Sequence, residues 1–232
     1  EFNAPLCAAV TGDTSVYAYL VALARADLFL IHLNYGAGWS RYHHLFRELL
    51  HHRLKSQIDP ARLADLHRNA ARWLANSGRV PAAVRHFLTA GDEDAAADLV
   101  ERQSGALLMS DPYEAKTLFD LLPAAIAQRR PRLMLDRFFI VALFNYKDDD
   151  LIAQQAKAAI EQCAGDPETM AAFNGEWLVL RSGACYVHGE YVAAERSLAQ
   201  AEPYMATMPD HFAGLVAFIR MHLSNYAGDY AA

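Results

Sequence analysis

Four of the ten histidines form two adjacent pairs, His43-His44 and His51-His52, and these pairs are the residues most suggestive of chemistry. Imidazole is a common metal ligand, and helical ligands of one ion lie on adjacent turns, three or four residues apart. Seven to nine residues separate the two pairs, which is about 10–13 Å along a helix axis. This spacing disfavours a shared ion and favours solvated or helix-capping histidines. We therefore predict no metal site.

The common motifs of catalytic and phosphate-binding sites are also missing from the sequence. It contains no Gly-x-x-x-x-Gly-Lys-Ser/Thr loop, no Gly-x-Gly-x-x-Gly fingerprint and no Gly-x-Ser-x-Gly elbow. Trp73, Trp177 and the aromatic residues of 138–144 recur at helical spacing, which is more typical of a core than of a cofactor site. We therefore predict no catalytic residue in this chain.

The histidine pairs lie in the segment 39–54, where apolar residues recur at the helical interval opposite charged residues and histidines. Just upstream, residues 28–33 and 39–42 read as two strands around a loop with two glycines, which is typical of a β-hairpin. Short helices are predicted over Phe2–Val10 and Val16–Ala24. A helix pair, a hairpin and a helix make a winged-helix domain, which we place at residues 1–57. The apolar positions of its last helix are Leu45, Phe46, Leu49, Leu50 and Leu54.

The pattern changes at the polar stretch 55–60, where Asp59-Pro60 is a helix-start signal. Residues 58–232 then show helix after helix, and a spacing of residue types recurs in them. It resembles the tetratricopeptide repeat, whose period is about 34 residues. The sequence thus predicts a mainly α protein, a winged helix with one hairpin followed by a TPR-like α-α superhelical solenoid. The two copies are Gly78, Val80, Ala83, Phe87, Ala90 and Gly189, Tyr191, Ala194, Leu198, Ala201, with Ser182 where the pattern prefers glycine and a third copy beginning at Gly228 and Tyr230.

The composition indicates which partners and which cellular compartment to expect for this protein. Apolar residues make up 53% and charged residues 21% of the chain, which is typical of a globular protein. The net charge of −6 argues against broad nucleic-acid binding, although 47–55 is locally basic. Three distant cysteines, Cys7, Cys163 and Cys185, fit buried thiols in a reducing compartment. Without a signal peptide or an apolar run of about 18 residues, we predict a cytoplasmic protein that does not contact the membrane.

Three stretches together resemble the winged helix of the large ATP-dependent LuxR-type, or MalT-like, transcriptional regulators. They are Phe2-x-x-x-Leu6-Cys-x-Ala-Val-Thr-Gly12, Leu28-Phe-Leu-Ile31 and Trp39-Ser-Arg-Tyr-His-His-Leu-Phe-Arg-Glu-Leu-Leu50. Residues 66–91 are similar to the helices that follow this domain in the family. The resemblance is strongest over residues 2 to about 100, and beyond that it rests on degenerate helical repeats. The missing initiator Met and the incomplete last repeat further suggest a fragment.

The resemblance implies a signal-transducing NTPase that regulates transcription. An upstream NTPase domain would bind ATP or ADP, a downstream domain of the same chain would bind DNA, and the repeats would bind a small-molecule or protein effector. The winged helix would close over ADP in the resting state. This chain would then be a regulatory segment that needs no cofactor of its own, hydrolyses no ATP and does not bind DNA directly.

His43 is the one site residue that the resemblance assigns. Tyr42-His43-His44-Leu45 is similar to the Met-His-Asp motif of related NTPases, in which the histidine contacts the β-phosphate of ADP. A helix N-terminus suits this role because its free N–H groups and its dipole favour anions. His44 stands where that motif has aspartate. The alternative interpretation is that His43 only caps its helix.

Two other functions remain open from the sequence. One is a helical-repeat scaffold that binds a protein partner and has no nucleotide role. The other is a winged helix that binds DNA directly, which would need a basic recognition face. A phosphate loop upstream of Glu1 would favour the regulatory segment over both alternatives.

Overall fold

The computed structural model describes residues 1–26, 29–33, 38–144, 149–163 and 165–227, excepting the side chains of 109, 149, 211 and 227. The described residues form two compact units, one within Glu1–Leu99 and the other within Val100–Ala232. The strands are β1 Leu30–His32 and β2 Ser40–Tyr42. The helices are α1 Ala4–Thr11, α2 Val16–Arg25, α3 His44–Gln57, α4 Pro60–Asn76, α5 Val80–Thr89, α6 Glu93–Ser110, α7 Pro112–Phe119, α8 Ala124–Ala127, α9 Pro131–Phe144, α10 Asp149–Gln162, α11 Pro167–Val187, α12 Tyr191–Ala201 and α13 His211–Ala227, with a 3-10 helix at Glu202–Tyr204.

The first helix begins later than the sequence predicted. Asn3 caps α1 by accepting a hydrogen bond from the Leu6 N–H at 2.9 Å, so helical geometry starts at Ala4. Phe2 is extended and exchanges two backbone hydrogen bonds with Ser40, at 2.9 and 2.8 Å. The assignment of Phe2 to a helix was therefore wrong. A single bridge of this kind has no periodic signal in the sequence.

The predicted hairpin is present, with strands of three residues each. β1 pairs antiparallel with β2, and Leu30 lies opposite Tyr42. Phe29, just before β1, has a φ of 53°, a conformation that an aromatic residue rarely adopts. Residue 28 and loop residues 34–37 of the predicted hairpin lie outside the described residues.

Trp39 attaches the hairpin to the helices that follow it. Its side chain is only 8% exposed, and its ring centroid lies 6.2 Å from that of Trp73 on α4. The Arg79 guanidinium carbon lies 3.7 Å from the Trp39 ring centroid, which is a cation–π contact. Among the described residues of 1–57, Leu6 and Trp39 are the only buried hydrophobic side chains. The winged helix therefore depends on α4 and on Arg79, the N-cap residue of α5, to cover Trp39.

The repeat signal corresponds to two helical hairpins, α4–α5 and α11–α12, which confirms the predicted pattern. Gly78 and Gly189 have φ values of 73° and 78°, the left-handed conformation that glycine adopts at a helix C-terminus. Ser182 is fully buried, and its hydroxyl donates to the Ala194 carbonyl at 2.7 Å. A small side chain at this position thus serves the close approach of the two helices. The third copy, at Gly228 and Tyr230, lies outside the described residues.

The predicted fold class is confirmed, since no strand follows residue 60 in the described ranges. Asp59 accepts a hydrogen bond from the Ala61 N–H at 3.1 Å, so α4 begins at Asp59-Pro60 as predicted. The domain boundary near residue 57 stays a prediction, because the first compact unit continues to Leu99. No described helix is long and apolar enough to cross a bilayer.

The cysteines are half-buried rather than buried as predicted, and all three are free thiols. Burial raises the pKa of the Cys7 and Cys185 thiols above the ordinary value. A raised pKa leaves less thiolate at neutral pH, and thiolate is the reactive form.

The second unit contains an ion pair in its interior. Glu176 on α11 has a side chain that is 0% exposed, and it binds the Arg132 guanidinium of α9 through both oxygens. The second of these hydrogen bonds, from Nη2 to Oε1, is 2.7 Å long. Burial raises the pKa of Glu176, while Arg132 acts in the opposite direction. A buried carboxylate with a paired guanidinium is tolerated, but the same carboxylate without it is costly.

Arg132→Met should therefore destabilise the protein by about 3–5 kcal/mol at pH 7, the usual cost of leaving a buried charge without its partner. The matched control is Lys116→Met, because Lys116 pairs with Asp120 on an exposed helix surface and such pairs contribute about 0–1 kcal/mol. Urea unfolding of both variants measures the difference. Equal losses in the two variants would contradict the structural role of the Arg132–Glu176 pair.

Candidate functional site

His43 is the N-cap residue of α3, as its place at the end of the hairpin requires. Its carbonyl accepts the hydrogen bond from the Arg47 N–H at 2.9 Å, and its own N–H donates to the Phe29 carbonyl at 2.8 Å. The His43 side chain makes no capping hydrogen bond. The helix start is thus held by the backbone of His43, and the structure does not use the imidazole as a cap.

The His43 ring is exposed, and its centroid lies 4.4 Å from that of His44. The first turn of α3 contains no acidic residue, so its free N–H groups and the positive end of the helix dipole have no carboxylate beside them. An imidazole next to an uncompensated helix N-terminus is an arrangement that can bind an anionic group such as a phosphate. His43 is therefore accessible to a ligand or to another domain.

The apolar stripe of α3 is divided into an inner and an outer row. Phe46, Leu50 and Leu54 are half-buried, whereas Leu45 and Leu49 are 63% and 61% exposed. We call Leu45 and Leu49 the outer face of α3. Leucines are the residues with most to gain from burial, about 1.5–3 kcal/mol each, so the outer face is a candidate contact surface.

Phe29 has a strained backbone conformation, and its side chain contacts α3. Its ring, 58% exposed, stacks on Phe46 with a centroid distance of 5.1 Å, and Tyr42 meets Phe46 edge-on at 5.4 Å. A positive φ at a bulky residue costs about 1–3 kcal/mol and often occurs at functional sites. Here the strained residue is hydrogen-bonded to His43.

A second exposed apolar surface lies on α2. Tyr17, Leu20, Val21 and Ala24 lie at helical spacing on this helix, and of these only Leu20 is half-buried while the others are exposed. The half-buried residues of α2 are Val16, Leu20 and Leu23. The winged helix therefore presents apolar side chains from two of its three helices.

The described residues include no group of three or more His, Cys, Asp or Glu side chains that could hold a metal ion. Sequence reasoning missed one close histidine pair, His67 on α4 and His86 on α5, whose Nδ1 atoms lie 2.9 Å apart. Burial is the main cause that lowers the pKa of each. The two residues are 19 positions apart on different helices, so no local motif could have indicated the pair.

Comparison with known families finds a similar domain. Residues 1–63 match the family model described as the MalT winged helix domain. Residues 1–63 are therefore similar to the MalT winged helix domain. The match covers the hairpin, α3 with its outer face, and the first residues of α4. The MalT-type domain thus includes His43 and the connection to the first helical hairpin.

Two relatives are similar to this chain over stretches longer than residues 1–63. The HTH-type transcriptional regulator MalT of Vibrio cholerae is 28% identical over 218 residues, which cover 91% of this chain and 23% of that protein. The serine/threonine-protein kinase PknK of Mycobacterium tuberculosis is 35% identical over 135 residues, 56% of this chain and 12% of the kinase. The chain therefore spans less than a quarter of the length of each relative. No solved structure matches it.

Replacing both Leu45 and Leu49 by serine should change the stability of the 232-residue chain by no more than about 0.5 kcal/mol per site, because exposed side chains contribute little. Phe46→Ala should cost about 1–2 kcal/mol, since it removes two aromatic contacts. Thermal unfolding distinguishes the two rows. A large loss in the double serine variant would show that the outer face is already packed within this chain.

Proposed function

We propose that this chain is a regulatory segment of an ATP-dependent transcriptional regulator, acting in the cytoplasm. In this proposal the MalT-type winged helix closes over ADP bound to a nucleotide domain of the same protein. The helical repeats then sense an effector or a protein partner and release the closed state. The observation that carries the proposal is the start of α3. There the His43 imidazole makes no capping hydrogen bond and lies beside the exposed outer face of the helix.

The outer face of α3 supports a docking role. Leu45 and Leu49 stay in water in this chain, and each would gain from transfer into an interface. Because β2 leads directly into α3 through His43, a domain seated on the two leucines would also come near that imidazole. A nucleotide domain is the partner that the family resemblance implies at this position.

His43 supports a phosphate contact in the closed state. Its side chain is not used to cap α3, so an N–H of the ring can donate to a phosphate oxygen. The N-terminus of α3 adds favourable potential for the negative charge. A contact to the β-phosphate would stabilise the state that holds ADP, and its loss on nucleotide exchange would free the winged helix.

The relatives support a role in transmitting a signal. One is named as a transcriptional regulator and the other as a protein kinase, so a segment similar to this chain occurs in proteins with different outputs. A segment shared between such proteins fits the control of an output domain better than the output itself. This argues for regulation by the segment and leaves the effector open.

Exposed apolar residues on the last two helices favour the scaffold as the second candidate. Val192 on α12 and Phe218, Met221 and Tyr226 on α13 are all exposed, and they could bind a protein partner without any nucleotide. Direct DNA binding is a weaker candidate. The outer face of α3 presents leucines where a recognition helix needs groups for bases and phosphates.

In a longer chain that includes the nucleotide domain, His43→Ala should weaken ADP retention by about tenfold, the value of one charge-assisted hydrogen bond. Effector-independent activity should rise at the same time. His52→Ala is the matched control, because His52 is an exposed histidine further along α3. Nucleotide-release kinetics and a reporter of basal transcription measure both effects. Unchanged ADP affinity together with unchanged basal activity would exclude the phosphate contact and favour the scaffold.

The 232-residue chain alone should neither hydrolyse ATP nor bind a DNA duplex tightly at physiological salt. The reason is that the phosphate loop is missing from its sequence and its net charge is −6. A phosphate-release assay and fluorescence anisotropy with a labelled duplex check this. Specific promoter binding that weakens steeply with added salt would instead support the DNA-binding winged helix.

A further inference from the structure

The second unit contains a cavity of about 410 Å³ between α6, α9, α11 and α13. Its volume falls within the range of small-molecule sites, about 300–1,000 Å³. Most of its wall is apolar, and Arg102 and Ala106 lie at its exposed rim on α6. The apolar wall consists of Leu108, Phe139, Leu180, Phe212 and Leu215.

One carboxyl group lies in this apolar wall. Asp136 on α9 is 4% exposed and lines the cavity. The Ser104 hydroxyl of α6 donates a hydrogen bond to its Oδ2, and this is its one side-chain hydrogen bond in the described part of the chain. Burial raises the pKa of Asp136 to about 7, against the opposing effects of Ser104 and Arg132. Since the hydrogen bond from Ser104 uses Oδ2, the other oxygen, Oδ1, remains available to a ligand.

Two of the nearby cations are bound to other carboxylates, and a third, Arg102, lies at the exposed rim of the cavity. Arg132 forms its ion pair with Glu176, and Arg130 forms one with Glu101 at 3.2 Å. Glu101 and Glu176 also act on Asp136 as like charges that raise its pKa. Among the described residues Asp136 has no ion pair of its own, and desolvated carboxylates of this kind strongly favour a cationic partner.

We propose that this cavity binds a small organic amine, whose ammonium group donates to Asp136 and whose apolar body packs against the surrounding leucines and phenylalanines. A carboxylic acid would meet repulsion from Asp136, Glu101 and Glu176. A neutral alcohol could donate a hydrogen bond but would leave the carboxylate charge uncompensated. The claim that such an amine is the effector of the repeats rests on the proposed function. The claim that the cavity binds the amine does not.

The site should bind the amine more tightly as pH rises. Asp136 is faced by Ser104 and Glu101 from α6, by Arg132 on its own helix and by Glu176 from α11, while α13 contributes the apolar Phe212 and Leu215. Since the pKa of Asp136 is about 7, the carboxyl is mostly protonated at pH 6 and mostly ionised at pH 8. Only the ionised form offers a full charge to the ammonium group.

The test uses 2-phenylethylamine as the probe and titrates it calorimetrically into the 232-residue chain at pH 8 and pH 6. The neutral 2-phenylethanol and the anionic 3-phenylpropionate are the comparison ligands. Saturable binding of the amine is expected, at least several-fold weaker at pH 6, and the alcohol and the acid should bind at least tenfold more weakly. No saturable amine binding, or equal binding of amine and alcohol, would overturn the proposal.

Variants locate the binding. Asp136→Asn keeps the shape of the side chain and should weaken amine binding tenfold or more without affecting the alcohol. Ala106→Trp should obstruct the cavity from its exposed rim, whereas Ala125→Trp, at an exposed position of α8 outside the cavity, should have no effect. Because Ala106 is exposed, its variant remains informative if Asp136→Asn unfolds. Amine binding that both Asp136→Asn and Ala106→Trp leave unchanged would refute the site, without bearing on ADP retention at His43.

Discussion

The position of Trp39 between Trp73 and Arg79 is the contact on which the first unit depends. The MalT-type winged helix buries few apolar side chains of its own, and a two-stranded hairpin is marginally stable by itself. Trp39 places the end of the hairpin against α4 and against Arg79, the N-cap residue of α5. β2 follows it immediately, and α3 begins one residue after β2. The contact therefore fixes where α3 starts, while leaving its outer leucines uncovered.

The start of α3 has a geometry that fits the proposed switch. The helix N-terminus is held by backbone hydrogen bonds between Phe29, His43 and Arg47, so the His43 side chain can bind a partner without unwinding the helix. A helix whose contact surface is exposed in one state and covered in another must stay folded in both states. An outer row of leucines beside a half-buried inner row meets that condition, because the inner row holds the helix when the outer row is free.

The second unit contains ionisable side chains in its interior, where apolar side chains could also form a core. Replacing a buried ion pair by well-packed apolar residues is often neutral or stabilising, so neither the Arg132–Glu176 pair nor the Asp136 carboxyl is needed merely to fold a helical repeat. Asp136 costs stability as pH rises, because its pKa is raised to about 7 in the folded state and the buried group must ionise. A destabilising group that lines a cavity supports the proposal of a ligand there.

Local signals in the sequence predicted most of the fold. The helical period, the Asp59-Pro60 start and the glycine at position 78 each act within a few residues, and each is confirmed. Contacts between distant segments were missed: the Phe2–Ser40 bridge and the bond between Ser104 and Asp136, which are 32 positions apart. Periodicity shows that one face of α3 is apolar, but not what covers it.

The central claim is that α3 docks on a nucleotide domain in the ADP state, and hydrogen–deuterium exchange tests it most directly. The protein would be a longer chain that includes that domain, loaded with ADP or with a non-hydrolysable ATP analogue. The account predicts slower exchange across the first turns of α3 with ADP than with the analogue, and unchanged exchange in the buried helix α11. Equal exchange of α3 in the two nucleotide states would contradict it.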